Sequence, residues 1–161
     1  MKFIKSVILA VALLVPFATY AVTDDDSIAF MTAVTEGDTA TVIKHLDAGT
    51  VSVKDIFFGW SPLLSAAAKG QTAVVKLLAE RGADVNYRHP ITKMTAVAHA
   101  SYDGNNELLN VLLDKGADPN IKGRAGVTVL RMATDQNHPD TVKILIAHGA
   151  KDDGCQDEQC F

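Results

Sequence analysis

Residues 61–86, SPLLSAAAKGQTAVVKLLAERGADVN, decide the fold of this chain. They predict two helices joined by a tight turn, followed by a loop that bends away from them. Pro62 suits the first turn of a helix, where its missing N–H is not needed. Gly70 ends that helix because glycine adopts a positive φ at little cost. The second helix carries a wide apolar face and ends at Gly82. Such a unit cannot bury its own apolar face, so it needs a neighbour of the same shape.

The same pattern recurs along the chain. Four glycines follow one another at steps of 33, 34 and 33 residues: Gly49, Gly82, Gly116 and Gly149. Four alanines keep the same steps: Ala33, Ala66, Ala100 and Ala133. Because the glycines and the alanines recur at the same intervals, the spacing predicts a stacked repeat protein.

The residues of each copy resemble the ankyrin repeat, whose unit carries T-P-L-H-x-A and ends in G-A-D-V-N. Residues 61–66 read S-P-L-L-S-A, and GADVN follows at 82–86. Similar segments recur at 95–100 and 128–133, whereas the first copy, 28–49, lacks the T-P-L signature. The resemblance, to an exported bacterial type with four repeats, implies an all-α repeat solenoid. Its units would be stacked helix-turn-helix pairs with short hairpin fingers.

The N-terminal residues are typical of a secretory signal peptide. Lys2 and Lys5 flank or enter an apolar run, residues 7–15, and the small residues Thr19 and Ala21 follow. We expect cleavage after Ala21. A membrane anchor is the alternative, but the run is far shorter than the ~20 residues that span a bilayer. The chain is therefore expected to be periplasmic or secreted, without stable membrane insertion after cleavage.

After residues 1–21, we expect an ankyrin repeat domain over 22–151 and an acidic tail over 152–161. The repeats are expected at about 26–55, 56–88, 89–122 and 123–151. Outside 61–86, helices are expected at about 26–35, 39–48, 95–102, 106–114 and 139–147. Thr39 and Thr72 are expected to cap the second helices of their copies. Asn137 stands where other copies have a turn glycine, and asparagine tolerates the left-handed conformation.

The charge of the chain disfavours two classes of partner. Loss of residues 1–21 removes two lysines and no acids, so the formal charge goes from −4 to −6. Nucleic-acid binding needs a basic surface, so nucleic acid is not expected as a partner. An anionic membrane surface is disfavoured for the same reason.

The two cysteines, Cys155 and Cys160, lie in the last seven residues. In an oxidising compartment we expect them to form a disulfide that closes a small ring. A redox-active pair and a metal site are the alternatives. The usual redox spacing is C-x-x-C, whereas four residues separate these cysteines, and two thiols without a nearby histidine make a poor zinc site.

No catalytic constellation is evident. The five histidines form no i, i+4 pair and no H-E-x-x-H motif, and no serine lies in G-x-S-x-G: they are His45, His89, His99, His138 and His148. Each is interpreted as structural. We therefore expect a non-enzymatic protein with no cofactor and no metal. The competing hypothesis is a small thiol-disulfide protein that uses the C-terminal cysteine pair.

The segment TVSVKDIFFGW, residues 50–60, is unusually bulky for a finger, where polar turn residues are expected. Two interpretations remain open for the bulky residues of this segment, Ile56, Phe57, Phe58 and Trp60. The rings could pack on the stack or on a neighbouring finger, or they could anchor a protein partner. Under the second interpretation, replacing Trp60 and Phe58 by alanine weakens partner capture and leaves thermal stability nearly unchanged.

The resemblance implies that a partner protein, unidentified from sequence, binds the concave face and the finger tips of a monomer. The implied contact residues are Phe57, Phe58, Trp60, Lys69, Met94, Tyr102, Asp103, Arg124, Asp135 and Gln136. A related possibility is an accessory factor or inhibitor of one exported enzyme, for example an oxidative-stress enzyme.

Overall fold

The computed structural model describes residues 24–151, and in this range the chain forms eight α-helices. They are α1 Asp24–Glu36, α2 Thr39–Ala48, α3 Pro62–Ala68, α4 Thr72–Glu80, α5 Ala96–Asp103, α6 Asn106–Asp114, α7 Val129–Asp135 and α8 Pro139–Ala147. A short 3-10 turn, Arg124–Gly126, precedes α7. The signal peptide, its cleavage site and the disulfide expected between Cys155 and Cys160 lie outside the described residues.

The helices pack as four consecutive pairs in two layers. Each odd-numbered helix packs on the even-numbered helix that follows it. The odd-numbered helices also pack on one another in chain order and form the inner layer, and the even-numbered helices form the outer layer in the same way. The prediction of an all-α repeat solenoid is thus confirmed.

The alanine landmarks occupy equivalent places in the four pairs. All four are buried, with at most 4% of the residue exposed. The carbonyl oxygen of each accepts a hydrogen bond of 2.9 Å from the backbone N–H five residues later, at Asp38, Gln71, Asn105 and His138. This bond closes the turn between the two helices of each pair.

The turn conformations follow the sequence pattern. The landmark glycines after the outer helices have φ values of 69°, 86°, 84° and 80°. Asn137 takes the left-handed conformation, with φ 58°, at the place that Gly37, Gly70 and Gly104 hold in the other turns. The prediction for Asn137 is confirmed.

The predicted caps of α2 and α4 were wrong. Asp38 caps α2 through its carboxylate, which accepts from the N–H groups of Ala40 and Thr41 at 3.1 Å each. Thr39 and Thr72 are instead the first residues of their helices. Each helix begins directly after the residue that closes the turn, so the capping position falls one residue earlier. At α4 that residue is Gln71, whose side-chain amide donates to Thr35 O at 2.9 Å.

The apolar core runs through all four pairs without interruption. It consists mainly of leucine and valine from the outer helices and of small residues from α3 and α5. The small inner residues let successive pairs approach closely, so each pair covers the apolar face of the one before it. The stack therefore derives its stability from contacts between neighbours.

Candidate protein-binding surface

Three connecting segments project from the stack, and we call them the first finger (50–60), the second finger (87–94) and the third finger (121–127). In the first finger, Phe57 and Trp60 exchange two backbone hydrogen bonds of 2.9 Å each. Phe58 and Gly59 form the two-residue turn between them, with φ values of 52° and 85°. Each finger is a tight turn, and none contains a regular strand.

Two of the aromatic rings of the first finger belong to the stack. The Phe57 ring lies on the ring of Phe30, with centroids 6.4 Å apart. The Trp60 ring lies against the rings of His89 and His99, with centroids 4.8 and 6.1 Å away. Both residues are partly buried against the core. This packing favours the interpretation that these two rings belong to the stack rather than anchor a protein partner.

Phe58 differs from its neighbours because its side chain is completely exposed, at 102% relative accessibility. Its backbone is also left-handed, a conformation in which a bulky residue is an outlier. The bridge between Phe57 and Trp60 fixes which residues occupy the turn, so Phe58 is turned outward while its two aromatic neighbours face the stack.

Hydrogen bonds tie the three fingers to one another. The Tyr87 hydroxyl donates to Gly59 O at 2.9 Å and joins the second finger to the first. The Arg88 guanidinium donates through Nε to Lys93 O and through an Nη to Gly123 O, both at 3.2 Å, and joins the second finger to the third. The finger tips are therefore held in fixed relative positions.

His89 shapes the tip of the second finger from within. It is buried, with 5% of the residue exposed, and its Nδ1 accepts from the backbone N–H groups of Ile91 (3.2 Å) and Thr92 (3.1 Å). These bonds make Nδ1 an acceptor, so the proton of the neutral ring sits on Nε2. The result is a closed turn that leaves Ile91 exposed on its outer side.

His99 lies beneath the fingers, on α5. Its Nε2 is buried and has no hydrogen-bond partner among residues 24–151. Burial lowers the pKa of His99 below its ordinary 6.5; Asp103 opposes this shift, and His89 adds to it. Burial therefore favours the neutral form of this ring.

The other predicted contact residues lie at the ends of the inner helices and on the fingers. Lys69, Tyr102, Asp103, Arg124, Asp135 and Gln136 are exposed, and Met94 is partly buried. Arg131 Nε donates to the Asp135 carboxylate at 2.7 Å along one face of α7. These residues form an open polar surface with one aromatic group, Tyr102.

The fingers carry most of their charge as cations. Residues 50–60, 87–94 and 121–127 contain five lysines and arginines and a single carboxylate, that of Asp55: the cations are Lys54, Arg88, Lys93, Lys122 and Arg124. Asp55 accepts from Ser52 N at 2.7 Å. This excess of cations is opposite in sign to the net charge of the whole chain, −4. Sequence reasoning considered only the total charge and missed it.

Within the described residues, no group of three or more histidine, cysteine, aspartate or glutamate side chains is placed to hold a metal ion. In the same range no helix is both long and apolar enough to cross a bilayer. A shallow cleft of about 120 Å³ lies where the turn at Gly104 meets the turn at Asn137 and His138. Its volume is well below the ~300–1,000 Å³ of typical small-molecule sites.

A family model for ankyrin repeats, built on three copies, matches residues 30–123 and again 90–157. The chain therefore belongs to the ankyrin repeat family. Membership of this family supports a role as a protein–protein interaction module.

The curated relatives are longer ankyrin proteins of animals. The chain is 32% identical over 133 residues to an ankyrin repeat, SAM and basic leucine zipper domain-containing protein 1 of Dasypus novemcinctus, a match that covers 80% of this chain and 28% of that protein. It is 39% identical over 83 residues to an ankyrin repeat and SAM domain-containing protein 6 of Rattus norvegicus, covering 52% of this chain and 9% of that protein. The chain thus spans less than a third of the length of these relatives.

Proposed function

We propose that this chain is an exported, non-enzymatic module that binds a partner protein through its finger tips and the exposed ends of its inner helices. The observation that carries the proposal is the row of exposed side chains on fingers that hydrogen bonds hold in fixed positions. A preorganised surface binds with a smaller loss of conformational freedom than a mobile one.

Four of the five histidines support a non-enzymatic role because one ring nitrogen of each is engaged in a structural contact; the exception is His99, whose buried Nε2 has no hydrogen-bond partner within residues 24–151. His89 Nδ1 holds the second finger, and His138 Nε2 lies 3.1 Å from Tyr102 O. His148 Nδ1 lies 2.9 Å from Ile144 O, and His45 Nδ1 lies 3.2 Å from Thr50 Oγ1. The contacts of His89 and His148 lie within one finger and one helix end, whereas that of His45 joins α2 to the first finger and that of His138 joins the start of α8 to α5.

We propose that all four helix pairs are ankyrin repeats, one more than the family model counts. The first pair lacks the T-P-L signature, yet its Ala33 carbonyl accepts the same 2.9 Å hydrogen bond as the equivalent alanines of the other three pairs. Loss of that signature fits a terminal repeat, since one of its sides faces solvent rather than a neighbour.

Export is a proposal that rests on the N-terminal sequence. Cleavage after Ala21 would leave a mature chain that begins at Val22, acts as a monomer in the periplasm or outside the cell, and closes the Cys155–Cys160 disulfide there. Mass spectrometry of the protein recovered from its own cell envelope tests both points. The masses expected are those of residues 22–161 less two hydrogens.

The binding role is tested by affinity capture from the same envelope with matched surface variants. Tyr102→Ala lies on the proposed surface, and Lys76→Ala lies on the exposed face of the outer helix α4. We expect the Tyr102 variant to lose a protein that the wild type and the Lys76 variant both retain. Equal retention by all three proteins would contradict a binding role for the inner helix ends.

A further inference from the structure

We infer that the tips of the three fingers dock an acidic protein segment that carries apolar side chains. The inference rests on the proposed function and names the chemistry of the partner. We call the surface the finger ridge; it consists of Phe58, Pro90, Ile91, Lys93 and Arg124, all of them exposed.

Phe58 is placed unfavourably in two respects, its backbone conformation and the exposure of its ring, and no contact within the described residues compensates for them. Its φ of 52° lies in the left-handed region, which costs a non-glycine residue about 1–2 kcal/mol. Its ring is fully exposed to water. The turn positions of such a hairpin favour asparagine, aspartate and glycine. Strain of this kind clusters at sites where proteins bind ligands.

A second exposed apolar side chain, that of Ile91, lies on the neighbouring finger. A Cβ added at Gly59 would lie 3.1 Å from Pro90 Cγ, so the two turns are in contact there. Ile91, the next residue, is 75% exposed. Tyr87 and Arg88 fix the spacing of the fingers through hydrogen bonds to Gly59 O and Gly123 O. The ridge therefore presents two apolar groups at a fixed separation.

The charge of the fingers selects an acidic partner. The Arg88 guanidinium donates to two neutral carbonyls, so these bonds leave its positive charge uncompensated. Lys93 and Arg124 add exposed positive charge on the second and third fingers. The carboxylate of the first finger, Asp55, accepts from Ser52 N. Asp84 and Asp118, which precede the second and third fingers, accept from the backbone N–H groups of Asn86 and Asn120. Complementary charge of this kind steers association and selects partners.

An anionic membrane surface, like an acidic protein segment, offers both negative charge and apolar groups. We favour a protein segment because the chain as a whole is acidic, with a net charge of −4, and the ridge contains no amphipathic helix that could lie in a bilayer interface. Lipid binding is kept as an outcome of the test.

The test is selection of peptides from a displayed random library against the intact protein. We expect the enriched peptides to combine aspartate or glutamate with aromatic or aliphatic residues. A synthetic copy of one such peptide should bind about tenfold or more weakly to Phe58→Asn and to Lys93→Glu, since truncation of an anchor commonly costs more than ~1.4 kcal/mol. Added salt should weaken binding because the ridge is exposed.

Asparagine suits the left-handed turn, so the Phe58 variant removes the ring without unfolding the finger. The matched control is Ile146→Asn, which removes an isoleucine that is 59% exposed on α8, far along the chain from the ridge. It should bind the peptide as the wild type does.

Three results would overturn the inference: no enriched peptides, enriched peptides that are basic or neutral, or binding that survives both ridge variants. Peptides that depend on Tyr102 and not on Phe58 would also overturn it, yet they would leave the proposed protein-binding function intact. Phe58-dependent sedimentation with phosphatidylserine vesicles, without peptide binding, would assign the ridge to membranes.

Discussion

Gly104 lies directly beneath the imidazole ring of His138, at the junction of the third and fourth helix pairs. A Cβ at Gly104 would come within 2.6 Å of His138 Nδ1, and that ring is held by a 3.1 Å contact from Nε2 to Tyr102 O. Gln71 covers Gly37 in a similar way at the junction of the first and second helix pairs. These contacts make the inner turns part of the packing between repeats.

The first prediction compares two glycines. Both Gly104 (φ 67°) and Gly82 (φ 86°) are left-handed, so alanine at either position adds a strain of about 1–2 kcal/mol. Nothing lies within 4 Å of a Cβ added at Gly82. We expect Gly104→Ala to lower the free energy of unfolding by about 1–3 kcal/mol more than Gly82→Ala, because its methyl group also displaces His138. Urea denaturation measures the difference, and equal losses would contradict the packing described.

The second prediction separates the rings of the first finger. Trp60 packs on His89 and His99, so Trp60→Ala should lower the free energy of unfolding by about 2 kcal/mol or more. Phe58→Asn should raise it by up to about 1 kcal/mol, since asparagine relieves left-handed strain. Thermal and urea unfolding provide the measurement. A double replacement of Trp60 and Phe58 would therefore change stability as well as binding, and the sequence-based expectation of nearly unchanged stability does not fit this packing.

The third prediction concerns the link between fingers. Tyr87→Phe removes only the hydroxyl that donates to Gly59 O. We therefore expect the free energy of unfolding to fall by about 1 kcal/mol and the backbone amides near Gly59 to exchange hydrogen faster. Tyr102→Phe, at a tyrosine that is half-exposed on α5, is the matched control. An unchanged exchange rate in the Tyr87 variant would show that the hydroxyl does not hold the first finger.

The fourth prediction is a dependence of stability on pH. The pKa of His99 is lower in the folded protein than its ordinary 6.5, mainly because the ring is buried. The unfolded chain therefore binds more protons below pH 6.5, and stability should fall as the pH is lowered through that value. His99→Met should flatten this slope, and methionine already occupies the equivalent position 132. His148→Gln, at an exposed histidine, should keep it; urea midpoints between pH 7 and pH 5 give the comparison.

The helices could be predicted because the same signals for helix ends and buried faces recur in successive copies of the repeat. Recurring glycines, alanines and apolar faces placed the helix boundaries within about two residues of those observed, including the left-handed Asn137. The N-cap positions, held by Asp38 and Gln71, were missed because the threonine that follows each of them is itself a common N-cap residue. Only the turn geometry shows which of the two neighbours precedes the helix.

The finger ridge could be located only in part. Four bulky residues within positions 56–60 suggested a special finger, but sequence could not say which ring faces outward. The pairing of Phe57 with Trp60 decides this, and the dipeptide Phe58-Gly59 stands where Asn-Gly is usual in a hairpin, which was an available signal. The links from Tyr87 to Gly59 and from Arg88 to Gly123 cross 28 and 35 residues and end on backbone carbonyls, so they leave no mark in the sequence.

The most direct measurement is a photo-crosslinking scan in the native cell envelope, with the crosslinker placed at one position at a time. We expect positions 58, 91 and 102 to crosslink to one and the same protein, and positions 44, 76 and 110, which lie on the outer helices, to give no such product. Crosslinks to that protein from the outer helices alone, with none from the fingers, would contradict recognition by the finger tips and inner helix ends.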